Sequence, residues 1–105
     1  MTDQFNIAAL DDVIHGRLRL GIMAYLSGSG AADFNELKAR LQASDGNLSV
    51  HLRKLEEAGY VAIDKSFNGR KPLTRVVLTD KGRAAFVAYL NAIEKLLPQT
   101  GDQAG

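Results

Sequence analysis

Along most of the chain the apolar positions recur every three or four residues, and this spacing predicts amphipathic helices with one buried face. Gly16 interrupts the first apolar run, Asp33 is a candidate N-cap, and Gly59 stands where a helix is expected to end. Thr79 is suited to cap a long last helix, which Pro98 is expected to end. The helices predicted in this way span about residues 5–14, 17–27, 34–42, 45–58 and 80–97.

A helix-turn-helix followed by a hairpin is predicted in the middle of the chain. Residues 43–46 form a tight turn between the third and fourth helices. Beyond the fourth helix the apolar period changes from ~3.6 to ~2, which predicts two strands. Asn68-Gly69 predicts the hairpin turn, with both residues at its centre and able to take positive φ. Pro72 is expected to prevent regular pairing on the return strand.

Together these elements predict a mainly α fold with a small β-hairpin (α+β), the winged helix-turn-helix, in the order α-α-(short β)-α-α-β-β-α. Residues 1–98 are expected to form a single domain, with residues 99–105 as a disordered tail. A domain of this size buries a limited area, so apolar helices at its two ends favour pairing with a second copy. The side chains expected at the dimer interface are Leu10, Ile14, Phe86, Leu90, Ile93 and Leu97.

Charge is distributed unevenly along a chain whose formal net charge is only +1. Residues 65–83 carry six basic side chains and one acidic one, whereas residues 1–16 carry three acidic side chains and no lysine or arginine. One end of the molecule is therefore suited to face DNA phosphates.

The fourth predicted helix, residues 45–58, has a face suited to reading DNA bases. With its leucines turned inward, Asn47, Val50 and Arg53 lie on the opposite side. Asn47 offers a donor and an acceptor to adenine, and Val50 offers an apolar contact to a thymine methyl group. Arg53 can bind guanine bidentately or contact a phosphate. Ser44 is expected to cap the helix. Capping residues at this position often lie near a phosphate.

The basic hairpin, residues 65–75, supplies the second predicted DNA contact. Arg70 and Lys71 at its tip are expected either to enter a minor groove or to hold its phosphates. Arg75 and Lys65 lie farther back, where they are expected to touch the DNA backbone or only solvent. The alternative is that these charges merely discourage edge-to-edge pairing of strands. A basic hairpin directly behind an amphipathic helix favours the DNA interpretation.

Other chemistry has little support in the sequence. There is no cysteine, which excludes disulfides and thiolate metal sites, and neither a secretory signal nor an apolar run of ~18 residues is found. We expect a cytoplasmic protein that is not an enzyme and uses no cofactor, metal or membrane. His15 follows Asp11 and Asp12 closely, which suggests either a weak metal or pH-sensitive site or simply a surface histidine beside acids. His51 is expected to pack or to contact phosphate.

Four stretches of the sequence resemble the MarR/ArsR-like winged-helix transcription regulators, over roughly residues 14–97. They are His15-Gly-Arg-Leu-Arg-Leu-Gly-Ile22, Phe34-Asn-Glu-Leu37, Asp45-Gly-Asn-Leu-Ser-Val-His-Leu-Arg-Lys-Leu-Glu-Glu-Ala-Gly-Tyr-Val61 and Thr74-Arg-Val-Val-Leu-Thr-Asp-Lys-Gly82. The resemblance implies a homodimer that represses or activates transcription and pairs through its first and last helices. Arg19 matches a recurrent arginine that contacts phosphate or packs between helices. The positions implied to contact DNA are Asn47, Ser49, Val50, Arg53, Lys54, Arg70 and Lys71.

The sequence therefore predicts a homodimeric transcription regulator that binds specific sequences of double-stranded DNA. The alternative is a winged-helix module that binds another protein, which the low net charge and the acids Glu56 and Glu57 favour modestly. A small-molecule effector, bound in a cleft between the dimer helices and the DNA-binding unit, is compatible with the first hypothesis.

Overall fold

The computed structural model of the chain describes residues 5–97, which contain four α-helices, a short 3₁₀ turn and a three-stranded antiparallel sheet. Their order confirms the predicted winged helix-turn-helix. Pro98 and the predicted tail, residues 99–105, lie outside the described residues. The elements are the 3₁₀ turn Ile7–Ala9, α1 Arg17–Ser29, β1 Ala31–Asp33, α2 Phe34–Leu41, α3 Asp45–Glu57, β2 Val61–Asn68, β3 Lys71–Leu78 and α4 Asp80–Leu96.

Short-range signals in the sequence fix the ends of the helices. Asp33, Ser44 and Thr79 each accept a hydrogen bond from the backbone N–H three residues farther on, at 2.7, 3.2 and 2.9 Å. Each of these caps satisfies a donor that the first helical turn leaves unpaired. Gly59 follows α3 with a φ of +83°, and Gln42 follows α2 with a φ of +53°, so both helices end in a left-handed residue.

The core lies between the four helices and the sheet. The predicted leucine stripe of α3 is confirmed, since its three leucines are at most 2% exposed. Burying a leucine stabilises a fold by about 1.5–3 kcal/mol, so this stripe anchors α3 firmly. The other buried apolar side chains are Ile14, Ile22, Met23, Leu26, Ala32, Leu37, Val61, Val76, Leu78, Phe86 and Tyr89.

The sheet has the order β1-β3-β2, and its base is wider than its tip. β1 pairs only with residues 75–77 of β3. β2 and β3 pair along their whole length, from Val61 opposite Leu78 to Asn68 opposite Lys71. The far half of this hairpin therefore projects beyond the domain as a two-stranded wing.

The prediction of a regular helix over residues 5–14 is wrong. This segment contains only the turn Ile7–Ala9 and a second turn around Asp11. The side chains of Asn6 and Asp11 each accept a hydrogen bond from the backbone N–H two residues on, at 3.1 and 2.8 Å. Such local bonds compete with the helical hydrogen-bond pattern. Ile14 at the end of the segment is nonetheless completely buried, whereas Phe5 and Ile7 are exposed, so only the last part of the apolar pattern reflects packing against the core.

The hairpin turn also differs from its prediction. Its central residues are Gly69 and Arg70, because Asn68 already pairs with Lys71. Among the described residues of this turn, only Gly69 has a positive φ, of +68°. A glycine with positive φ at the first central position is typical of a type II′ turn. Pro72 pairs in register with Phe67, contrary to expectation. β1 does not reach this part of β3, so the strand has a free edge where a proline is tolerated.

Candidate nucleic-acid interface

An exposed face runs along α3 opposite the buried leucines. Asn47, Ser49, Arg53 and Lys54 are all exposed, and Val50 is 54% exposed. Leucines every three or four residues turn one side of the helix into the core, so the residues between them face outward. The structure therefore brings the five predicted contact residues of α3 together on one accessible surface.

Two polar interactions connect the start of α3 to the turn before it and to α2. The Ser44 hydroxyl accepts the hydrogen bond of the Asn47 N–H, as predicted. Lys38 of α2 forms an ion pair with Asp45 at 2.7 Å. An exposed pair of this kind contributes less than about 1 kcal/mol, so it adds little to the anchorage that the leucines provide.

A groove of about 600 Å³ lies between α3 and the hairpin. Arg53 on the helix side and Lys65 on the hairpin side both line it, which makes it attractive to phosphate. Two carboxylates, Asp45 and Glu56, line it as well. Its remaining lining residues are Phe34, Ser49, Leu52, Ile63 and Thr74.

The basic residues of the hairpin separate into two places. Arg70 lies in the turn and Lys71 directly after it, both exposed at the far end. Arg75 is exposed near the base, where its cross-strand partners are Asp64 on β2 and Asp33 on β1. Opposite charges at such positions attract each other. The structure therefore separates Arg75 from the two cations at the tip.

Arg19 connects three parts of the chain. Its Nε donates to the carbonyl oxygen of Val13 at 2.5 Å, and its guanidinium lies 2.9 Å from Nδ1 of His51 on α3. Burial, followed by the charges of Arg19 and Lys54, lowers the pKa of His51. The neutral imidazole is therefore favoured, with Nδ1 as the acceptor. Of the two roles that the sequence left open for Arg19, the geometry favours packing.

A second cleft, of about 660 Å³, lies beside the N-terminal end of α3. Arg17 of α1 and Arg40 of α2 line it together with Asn47 and Ser44. Sequence reasoning did not select these two arginines, because neither lies in the recognition helix or in the hairpin. Folding brings them beside α3, which extends the cationic surface around its N-terminus.

A family model described as a winged helix DNA-binding domain matches residues 18–97. The chain belongs to this family. The match covers the helix-turn-helix, the hairpin and α4, and it confirms the predicted resemblance to MarR-like winged-helix DNA-binding regulators.

Relatives of this winged helix domain are found in archaea and bacteria. It is 40% identical over 84 residues to the uncharacterized protein MJ0432 of Methanocaldococcus jannaschii, covering 80% of this chain and 91% of that protein. A transcriptional regulator homologue of Pyrococcus horikoshii OT3 has a solved structure with a TM-score of 0.74 and 33% identity, over 78% of this chain and 81% of that one. The structure of reduced AbfR bound to DNA has a TM-score of 0.68 and 26% identity, over 77% of this chain and 56% of that one. AbfR comes from Staphylococcus epidermidis.

The predicted dimer residues of the winged helix domain fall into three groups by burial. Ile14 and Phe86 are 0% and 7% exposed, so they pack within their own chain. Leu10 and Ile93 are half-buried against the core. Leu90 and Leu97 remain about half exposed, at 47% and 56%, as does Val87 at 51%, which the sequence did not select.

His15 of the winged helix domain does not join the two acids that precede it. Its Nδ1 lies 2.7 Å from the Tyr89 hydroxyl on α4. Asp11 instead accepts a hydrogen bond from the Tyr60 hydroxyl, which is the main cause that raises the pKa of Tyr60 to about 12. Within residues 5–97, no three His, Cys, Asp or Glu side chains come together as a potential metal site. Asp11 and His15 therefore tie the N-terminal segment to the domain.

Proposed function

We propose that this winged helix domain is a homodimeric transcription regulator that binds specific sequences of duplex DNA. In this proposal α3 lies in the major groove and the hairpin, residues 65–75, lies over the minor groove or the adjoining backbone. The observation that carries the proposal is the groove of about 600 Å³, bordered on one side by the exposed face of α3 and on the other by the basic hairpin. In this arrangement the DNA backbone between the major and the minor groove lies between these two walls.

The contact residues have separate roles in this arrangement. Asn47 and Val50 read base edges, because they lie on the outward face of α3 near its N-terminal half. Arg53 lines the groove shared with Lys65, which favours a phosphate contact over a guanine contact. The hydroxyl oxygen of Ser44 accepts the hydrogen bond of the helix cap, and the O–H group can still donate a hydrogen bond to a phosphate.

Pairing of two copies is supported by the exposed apolar side chains of α4. Val87 and Leu90 lie one turn apart along this helix, and both are about half exposed. A dimer paired there presents two α3 helices, whose half-sites are expected about 34 Å apart on a pseudo-palindromic sequence. AbfR, with 26% identity, has been solved in its reduced form bound to DNA, which supports DNA as the partner.

Selection of bound duplexes from random DNA tests the proposal directly. The full chain should enrich one pseudo-palindromic motif, and its affinity for that motif should fall steeply with salt. Lys71→Ala should lower affinity uniformly for all sequences, whereas Val50→Ala should change the preferred base at one position of each half-site. Enrichment of no motif over random DNA at low salt would show that sequence-specific binding is wrong.

Light scattering tests the dimer separately. The wild-type chain should have the mass of two copies at micromolar concentration, and Leu90→Asp should shift it toward one copy because a carboxylate cannot be buried unpaired in an apolar interface. Ala88→Asp adds the same carboxylate at an exposed position of α4 that lies nearly opposite Leu90 around the helix, so it is the matched control and should leave the mass unchanged. A wild-type monomer would remove this part of the proposal.

A protein-binding module is the second candidate function. It is favoured by the carboxylates of Asp45 and Glu56 in the groove, which oppose a phosphate there. If this candidate is right, the chain gives no duplex shift at low salt. A captured protein partner then loses binding on substitution of Val50 or Arg53.

A further inference from the structure

Phe67 is an exposed phenylalanine near the far end of the hairpin. It is 72% exposed and is not among the described side chains that pack against the core. Its cross-strand partner is Pro72, so two apolar side chains are neighbours on the projecting wing. A single exposed apolar residue is ordinary, so its position must decide whether it has a role.

Strand alternation places Phe67 on the face of the hairpin that borders the groove. Alternate residues of β2 share a face, so Val61, Ile63, Lys65 and Phe67 lie on the same side. Val61 is buried, and Ile63 and Lys65 line the groove beside α3. At ~3.3 Å per residue, Phe67 lies ~7 Å beyond Lys65 toward the tip. It therefore continues the groove wall outward, just past the cation that faces the proposed DNA backbone.

The charges around Phe67 identify what would cover it. Four basic side chains and one acid, Asp64, lie in the hairpin between residues 61 and 78. Two of the cations, Arg70 and Lys71, lie within four residues of Phe67 along the chain. The minor groove of duplex DNA, ~6 Å wide, is walled by apolar deoxyribose rings and bordered by phosphates. An apolar ring that shares its hairpin face with Lys65 and lies close to the two cations of the tip matches that chemistry.

We infer that Phe67, supported by Pro72, packs against the deoxyribose wall of the minor groove next to the major groove that α3 occupies. This inference rests on the proposed function and adds an apolar contact to the predicted cationic ones. The contact is made to sugar rather than to phosphate or to base edges. It should therefore contribute affinity without changing the number of counterions that binding releases.

Three variants of the full chain test this contact on a duplex that carries the selected motif. Phe67→Ala should weaken binding about tenfold at every salt concentration, with an unchanged slope of log affinity against log salt. Phe67→Leu should stay within about threefold of wild type because it keeps an apolar side chain. Ser66→Ala, on the opposite face of the same strand, is the matched control and should bind like wild type.

Hydroxyl-radical footprinting locates the contact, because the radical attacks deoxyribose hydrogens. Wild type should protect sugars in the minor groove beside each half-site, and Phe67→Ala should lose protection at those sugars only. If Phe67→Ala keeps wild-type affinity and footprint, the inference is wrong while the proposed function stands. If the substitution instead halves the mass measured by light scattering, a second copy covers Phe67, which also overturns the inference. A wild-type chain that binds no duplex overturns the proposed function first.

Discussion

Helix α3 and the hairpin form the two walls of the candidate interface, yet the domain holds them in opposite ways. The inward face of α3 consists of three leucines that are at most 2% exposed, and Ser44 caps its first turn. In β2 every residue from 64 to 68 is exposed, and this half of the strand pairs only with β3. The position of α3 is therefore set by the core, whereas the tip of the hairpin is set by its own backbone ladder.

This difference separates stability from recognition. A substitution on the inward face of α3 changes the free energy of unfolding and the recognition surface together. A substitution in the far half of the hairpin changes what the surface can bind and leaves the core intact. Substitutions of Leu52, Gly82, Ser44 and His51 challenge this separation, in decreasing order of expected effect.

Leu52→Ala should cost about 3–4 kcal/mol of the free energy of unfolding, because it leaves a cavity beneath α3 at a position that is 2% exposed. Ser66→Ala in the hairpin should change the same quantity by less than about 0.5 kcal/mol. Urea unfolding followed by circular dichroism measures both. Similar losses in the two variants would show that the hairpin is as tightly coupled to the core as α3 is.

Gly82→Ala should lower the free energy of unfolding by about 2–3 kcal/mol, because it disturbs the junction between α3 and the hairpin. A Cβ at this position would lie 2.1 Å from the backbone oxygen of Tyr60, which links α3 to β2. Backbone cannot move aside as easily as the end of a side chain, so the junction must shift. Gly28→Ala in α1 is the control, since a Cβ there meets nothing within 4 Å. Thermal unfolding should show a lower midpoint for Gly82→Ala and an equal or higher one for Gly28→Ala.

The parts of the fold that the sequence predicted are those with short-range signals. The leucine stripe, the caps at Asp33, Ser44 and Thr79, and Gly59 each depend on neighbours within about one helical turn. The segment before α1 has helical spacing too, but its polar side chains bond to the local backbone instead. Periodicity alone could not distinguish these two outcomes.

Long-range contacts explain what the sequence could not predict about the candidate site. Arg19 and His51 are 32 residues apart along the chain, and no local pattern indicates that they meet. Arg17 and Arg40 join the surface beside α3 only through the packing of α1 and α2. The sequence places His15 close to two acids, but its partner is Tyr89, which is 74 residues away.

Ser44→Ala should cost about 1 kcal/mol of the free energy of unfolding, because the Asn47 N–H loses its acceptor. Ser44→Asn is the control, since asparagine supplies a capping oxygen and should restore most of the stability. Ser49→Ala, at an exposed position of α3 that makes no cap, should change stability by less than about 0.5 kcal/mol. If all three variants match wild type in denaturant unfolding, the cap does not contribute to holding α3.

The smallest expected effect concerns the pH dependence of the contact between His51 and Arg19. Burial and the neighbouring cations hold the pKa of His51 below its ordinary value of 6.5 in the folded chain. The unfolded chain therefore binds more protons than the folded chain just below that pH. The contribution of neutral His51 to the free energy of unfolding is complete above about pH 6.5, and it is lost as the pH falls through the lower pKa of the folded chain.

His51→Asn isolates this contribution, because its amide oxygen can accept the hydrogen bond of Arg19 without titrating. Between about pH 8 and about pH 5.5 the wild type should lose more stability than the variant. The two proteins differ only at position 51, so the comparison isolates the effect of this side chain. Equal pH dependence of the two unfolding free energies would mean that His51 does not need to be neutral to hold Arg19. In that case the link between α1 and the recognition helix would depend on packing rather than on the charge of the imidazole.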